Sequence, residues 1–86
     1  MMRPVLRAIA GAAVSDVIEV GDGFETWNAA ICATCGEIVP CRNGRQELWV
    51  NENGLAEGCA LNQQATMLSG RRIVGDVILF ENGDIT

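Results

Sequence analysis

Apolar and polar positions change period several times along this chain. Residues 5–10, VLRAIA, are short and apolar, and residues 16–20, DVIEV, are compact and β-branched. Both predict strands, with GAAVS as the loop between them. GDGFETWNAAICAT then switches to helical spacing. Asp22 and Glu25 have the spacing of a capping box, and Phe24, Trp27, Ala30 and Ile31 form one apolar stripe. That stripe predicts a core-facing helix ending near Cys32 and Cys35, just before Gly36.

The middle of the chain predicts a meander. EIVPC-RNGR-QELWV places Asn43-Gly44 between two apolar runs, a strong hairpin signal. NENG supplies a second pair, Asn53-Gly54, before LAEGCAL. With two-residue turns, Val39 faces Leu48 and Cys41 faces Gln46. On the other side, Leu48 faces Cys59 and Gln46 lies opposite Leu61. Val39, Cys41, Leu48, Val50, Cys59 and Leu61 then share one face of the sheet. Pro40 assigns its strand to an edge.

NQQATMLSG predicts a short helix capped by Asn62 and ended by Gly70. RRIVGDVILF is apolar on both faces, as a central strand is. ENGDIT is a turn and tail. These elements predict one small α+β domain over residues 1–86. It has a mostly antiparallel sheet of five or six short strands around a central β-meander, with two short helices on one face.

Length and charge narrow what such a domain does. The chain has 86 residues, 49% of them hydrophobic, and a net charge of −5. An acidic balance argues against direct nucleic-acid binding, which needs clustered basic side chains. It suits a basic protein partner. All six basic residues are arginine, which suggests a GC-rich genome. The absence of histidine and tyrosine removes triads, Cys–His dyads and imidazole proton transfer, so no catalytic residue is assigned. No apolar run is long enough to span a membrane, and a cytoplasmic location is expected.

The four cysteines, Cys32, Cys35, Cys41 and Cys59, pose the main chemical question. Four thiolates suffice for a tetrahedral zinc site, but only one CxxC pair is present. In the meander register, Cys41 and Cys59 sit two strands apart, roughly 9.5 Å. Thiolates sharing a zinc ion are only about 4 Å apart. The cysteines therefore read as small core residues, with no metal and no cofactor. A zinc site and a Cys32–Cys35 redox pair stay as alternatives.

The second half resembles a known family. LWVNENGLAEGCALNQQATMLSG followed by IVGDVILF is similar to a small domain of unknown function frequent in phages, prophages and mobile elements. That family carries a strand with an N/D-E-x-G-L turn, an L-N-x-x-A-T helix start and a closing hydrophobic-G-D-hydrophobic strand. Here these are residues 48–55, 61–66 and 73–80, and the likeness extends over about residues 16–80. Cys59 stands where the family usually has leucine, which supports the core reading. Ala33-Thr34 stands where a glycine pair is expected.

The resemblance implies an accessory protein that binds a host protein, such as a restriction or CRISPR nuclease, and inhibits or modulates it. Glu47, Trp49, Glu52 and Glu57 are the candidate protein contacts. A second reading is a nucleotide-binding sponge, a monomer or small homo-oligomer. It would use Asn51, Asn62, Gln63, Thr66, Arg71, Arg72 and Asp76 at the helix–strand junction. A zinc-structured interaction module is the third.

Overall fold

The computed structural model describes residues 2–12 and 15–81. Its elements are β1 (Arg3–Ala8), β2 (Ser15–Val20), α1 (Phe24–Ala30), β3 (Gly36–Pro40), β4 (Gln46–Asn51), α2 (Gln63–Ser69) and β5 (Val77–Glu81). The five strands form one antiparallel sheet in the order β2-β1-β5-β4-β3. The fold is α+β, as the sequence pattern predicts. The expected turn and tail beyond Glu81 lie outside the described residues.

The first meander hairpin forms in the predicted register, with Val39 opposite Leu48. The Cys41 amide donates to the Gln46 carbonyl at 3.0 Å. Pro40 lies on an edge strand. The second hairpin does not form. Leu48 pairs with Leu79 rather than Cys59, and Gln46 pairs with Glu81 rather than Leu61. The reason is local. The Asn51 side chain accepts the Asn53 amide at 2.9 Å, and Gly54 donates to the Asn51 carbonyl at 3.1 Å. This turn coils residues 52–58 instead of returning them as a strand. Leu61 keeps only one isolated bridge, to Val74.

The helices also depart from expectation, because they cover opposite faces of the sheet. Ile78 and Phe80 of β5 cluster with Trp49, Val5 and Val20 beneath Trp27 and Ile31, the residues of α1 and its C-cap. Val77 clusters with Leu48, Val50, Val39 and Cys41 beneath Ala65 of α2. Since β4 and β5 are apolar on both sides, each face needs its own cover. One helix could not have buried both.

Helix α1 starts one residue later than the capping-box reading. Gly23 is the N-cap, without a side-chain capping bond. The helix ends in a Schellman motif. The Cys32 amide donates to Ala29 at 3.3 Å and the Ala33 amide to Asn28 at 2.8 Å. The left-handed position that glycine usually fills is occupied by Cys32, with φ of 55°. A Cβ there costs about 1 kcal/mol or more. Cys32→Gly is therefore expected to stabilise the domain by about 1 kcal/mol. Thermal melts check this, with a rise of roughly 4–8 °C expected for a domain this small.

Arg7 fastens α1 to the sheet. Its guanidinium pairs with Asp16 at 3.0 and 2.5 Å and donates to the Ala30 carbonyl at 3.1 Å, at the last helical residue. The hydrogen bonds from Arg7 hold the Asp16 carboxyl below its ordinary range. No helix among the described residues is long and apolar enough to cross a membrane.

Candidate functional site

A cleft of about 140 Å³ opens where β4 runs into the turn over residues 52–58. Val39, Val50 and Ile73, all buried, are among its lining residues. Glu37 from β3 and Glu52 from the turn bring two exposed carboxylates. Arg71 and Arg72, from the segment after α2, bring two exposed guanidiniums. Leu55 contributes an apolar side chain that is 75% exposed. The cleft thus combines an apolar lining, charges of both signs and one projecting aliphatic group. Protein contact surfaces share this make-up of apolar anchors with a polar rim.

Both sets of sequence-predicted residues reach this cleft only in part. Glu52 arrives from the protein-contact set, and Asn51, Arg71 and Arg72 from the ligand set, with Asn51 buried and bonded to Glu57 and the Asn53 amide. Glu57 is exposed, but its carboxylate accepts a hydrogen bond from Asn51 at 2.9 Å, which braces the turn. Glu47 is half-buried on β4 and has an interaction of its own. Trp49 is only 5% exposed, and its indole donates to Asn28 at 2.9 Å. It packs in the aromatic cluster under α1 and does not present a surface.

Of the other predicted ligand residues, Gln63 is exposed on α2 and lies away from this cleft, whereas Asn62, Thr66 and Asp76 bind the fold together. Asn62 is fully buried. It accepts the Ala65 amide at 3.1 Å as the α2 cap and donates to the carbonyls of Ala8 and Gly75 at 3.0 and 2.9 Å. The Thr66 hydroxyl accepts the Ile73 amide at 3.0 Å. Asp76 accepts the Ala10 amide at 2.8 Å. Gly75, with φ of 84°, interrupts the long predicted strand and starts β5 only at Val77.

Glu37 and Leu55 are the residues that sequence reasoning passed over. Glu37 was within reach, because the hairpin register sets it on the same face as Val39. Leu55 carried a weaker signal, a lone leucine between a turn glycine and alanine.

The cysteines separate into three environments. Cys41 is buried in the cluster under α2, as the core reading expects, whereas Cys32 and Cys35 are exposed and Cys59 is half-buried. Cys32 and Cys59 line a cavity of about 200 Å³ with Asp76. Among the described residues, no group of three Cys, Asp or Glu side chains lies close enough to hold a metal ion. Burial pushes the Cys41 thiol up, with the Glu47 charge adding to it. The stability linked to the protonated thiol is present below its ordinary value and is lost as pH rises through the folded one. Native labelling at about pH 8 is expected to modify Cys32 and Cys35 first, Cys59 later and Cys41 only through unfolding. Peptide mass spectrometry reads the order. Cys41 modified as fast as Cys35 would contradict its place in the core.

No protein-family model matches this chain, and no curated protein or solved structure matches it either.

Proposed function

We propose that this chain is a small acidic, non-enzymatic binding protein. Its contact surface is the turn over residues 52–58 with the adjoining cleft. One observation carries the reading. Of the pattern on which the family resemblance rests, the fold itself uses Asn51, Gly54, Asn62, Ala65, Thr66, Gly75 and Asp76. Gly54, for example, has no room for a Cβ, which would sit 2.9 Å from a Val74 methyl. The side chains of Glu52 and Leu55 stand exposed. Leu61 of the pattern is also exposed, at 40%, but does not line this cleft, so Glu52 and Leu55 are what the pattern leaves available to a partner there.

The partner would be a basic protein. The net charge of −5 favours its approach, and Glu37 and Glu52 place carboxylates beside the Leu55 anchor. In the phage or mobile-element setting that the resemblance suggests, a host defence nuclease with a basic groove fits this chemistry. The size of the cleft weighs against the nucleotide-sponge alternative. Ligand pockets span about 300–1,000 Å³, whereas this one is about 140 Å³.

Affinity purification from a GC-rich bacterial host tests the proposal. A basic protein is expected to be retained at about 0.1 M salt and released as salt screens the charges. The double variant Glu52→Arg, Leu55→Asp is expected to weaken retention at least tenfold while leaving the circular dichroism unchanged. Equal retention by a folded double variant would sink the assignment of this surface.

A further inference from the structure

One apolar row crosses the whole sheet on the α2 side. The registers align Val17, Leu6, Leu79, Leu48 and Val39, one from each strand. Its burial falls steadily toward one end. Val39 and Leu48 are 1% and 0% exposed beneath α2, Leu79 is half-buried, Leu6 is 45% exposed and Val17 is 67% exposed. Helix α2 reaches β2 only where the Ser15 hydroxyl donates to Gln64 at 2.7 Å, and it leaves the Leu6 and Val17 side chains of this apolar layer uncovered. The uncovered part stops abruptly at β2, an edge strand of six residues.

The two edges of the sheet are not alike. β3 carries Pro40, which cannot donate a ladder hydrogen bond. β2 contains no proline and no lysine, and its register with β1 runs unbroken over all six pairs. Such an edge offers a row of backbone donors and acceptors for another strand.

We propose that the β2 edge is a homodimer interface, in which two copies pair β2 to β2 antiparallel with Val17 opposite Val17 of the second copy. The charges and the row select this register. A two-fold axis normal to the sheet keeps each face on its own side, so residues of the same parity lie opposite one another. Centring on Val17 sets Asp16 against Ile18 and Ser15 against Glu19. No like charges meet, and Asp16 is already neutralised by Arg7. Centring on Ile18 instead sets Val17 against Glu19 and breaks the row. Pairing Val17 with Ile18 turns one copy over and opposes Asp16 to Glu19, which is repulsive. Only the first register joins the two apolar rows into one, across a continuous sheet of ten strands made from two of five.

The interface is small, and each copy carries a charge of −5, so a weak dimer is expected, in the micromolar range. Its salt dependence has a definite sign. Screening the mutual repulsion tightens the dimer, whereas it loosens the basic partner proposed above. Sedimentation of the full chain, from about 5 to 500 µM at low and high salt, tests this. Wild type is expected to dimerise more tightly at high salt. Val17→Lys, at an exposed position, is expected to weaken the dimer at least tenfold while leaving the fold intact. With Cys32 and Cys35 replaced by serine, Val17→Cys is expected to crosslink across the axis on oxidation, and Glu19→Cys is not. A wild-type monomer throughout the range would overturn the proposal and leave the edge to a strand of another protein. A dimer indifferent to Val17→Lys, or equal crosslinking at both positions, would overturn it as well.

Discussion

Asn62→Ala is expected to destabilise the domain by about 4 kcal/mol, enough to leave much of it unfolded at 37 °C. The side chain is fully buried and makes three hydrogen bonds to backbone. It accepts one of the four amides that α2 leaves without an intrahelical partner. Losing such a cap costs about 1 kcal/mol. Its amide nitrogen also satisfies the Ala8 and Gly75 carbonyls, and each buried group left unpaired costs about 1–3 kcal/mol. Asn62 thus ties α2, the end of β1 and the entry to β5 at one point. Asn62→Asp separates the two functions. It keeps the cap acceptor but loses both donations and buries a charge against two carbonyl oxygens. It is expected to be at least as damaging as alanine at neutral pH. Part of the loss should return on acidification, because a protonated carboxyl donates one hydrogen bond. Denaturant unfolding followed by circular dichroism, at neutral and mildly acidic pH, measures both variants. Wild-type stability in Asn62→Ala would refute the role given to this residue.

Trp27→Ala is expected to cost about 3–5 kcal/mol, the range for emptying a large aromatic site. Trp27 is 2% exposed, and its indole donates to the Gly21 carbonyl at 2.8 Å. Its ring meets Phe80 at 4.8 Å, Trp49 at 5.3 Å and Phe24 at 5.3 Å between centroids. Removing it strips α1 of its main anchor and uncovers the face that holds Ile78 and Phe80. Phe24→Ala is the control. Phe24 stacks on Trp49 at 5.2 Å but is 58% exposed, so about 1 kcal/mol is expected. Thermal unfolding of the two variants gives the comparison. Similar losses would mean that the cluster is not organised around Trp27.

Local chemistry was legible wherever it acts over a few residues. The Asn43-Gly44 turn set the β3–β4 register, the Asn62 cap and Gly70 end framed α2, and the double-sided apolar run marked β5 as central. The false hairpin at Asn53-Gly54 shows where that reading ends. Both Asn-Gly pairs look alike in the chain. At the second, the side chain of Asn51, two residues before the turn, captured the Asn53 amide and coiled the chain away from the sheet. The vacated place beside β4 went to β5, some thirty residues farther on. A non-local pairing of that kind leaves no trace in a local pattern.

The proposed contact surface divides in the same way. Glu52, Arg71 and Arg72 were legible as exposed charged groups. Asn62, Thr66 and Asp76 looked like ligand residues because polar groups near a helix start serve ligands and backbone equally well. Only burial decides which, and burial depends on what the rest of the chain lays over them. Apart from the strand expected after Asn53-Gly54, the sequence determined the element types, one true turn, one helix cap and an acidic character, because each arises from neighbours along the chain. The tertiary structure decided which strand lies beside β4, which face each helix covers, and which polar side chains remain exposed. Those outcomes depend on segments tens of residues apart competing for the same apolar surface, and no stretch of the chain carries that competition alone.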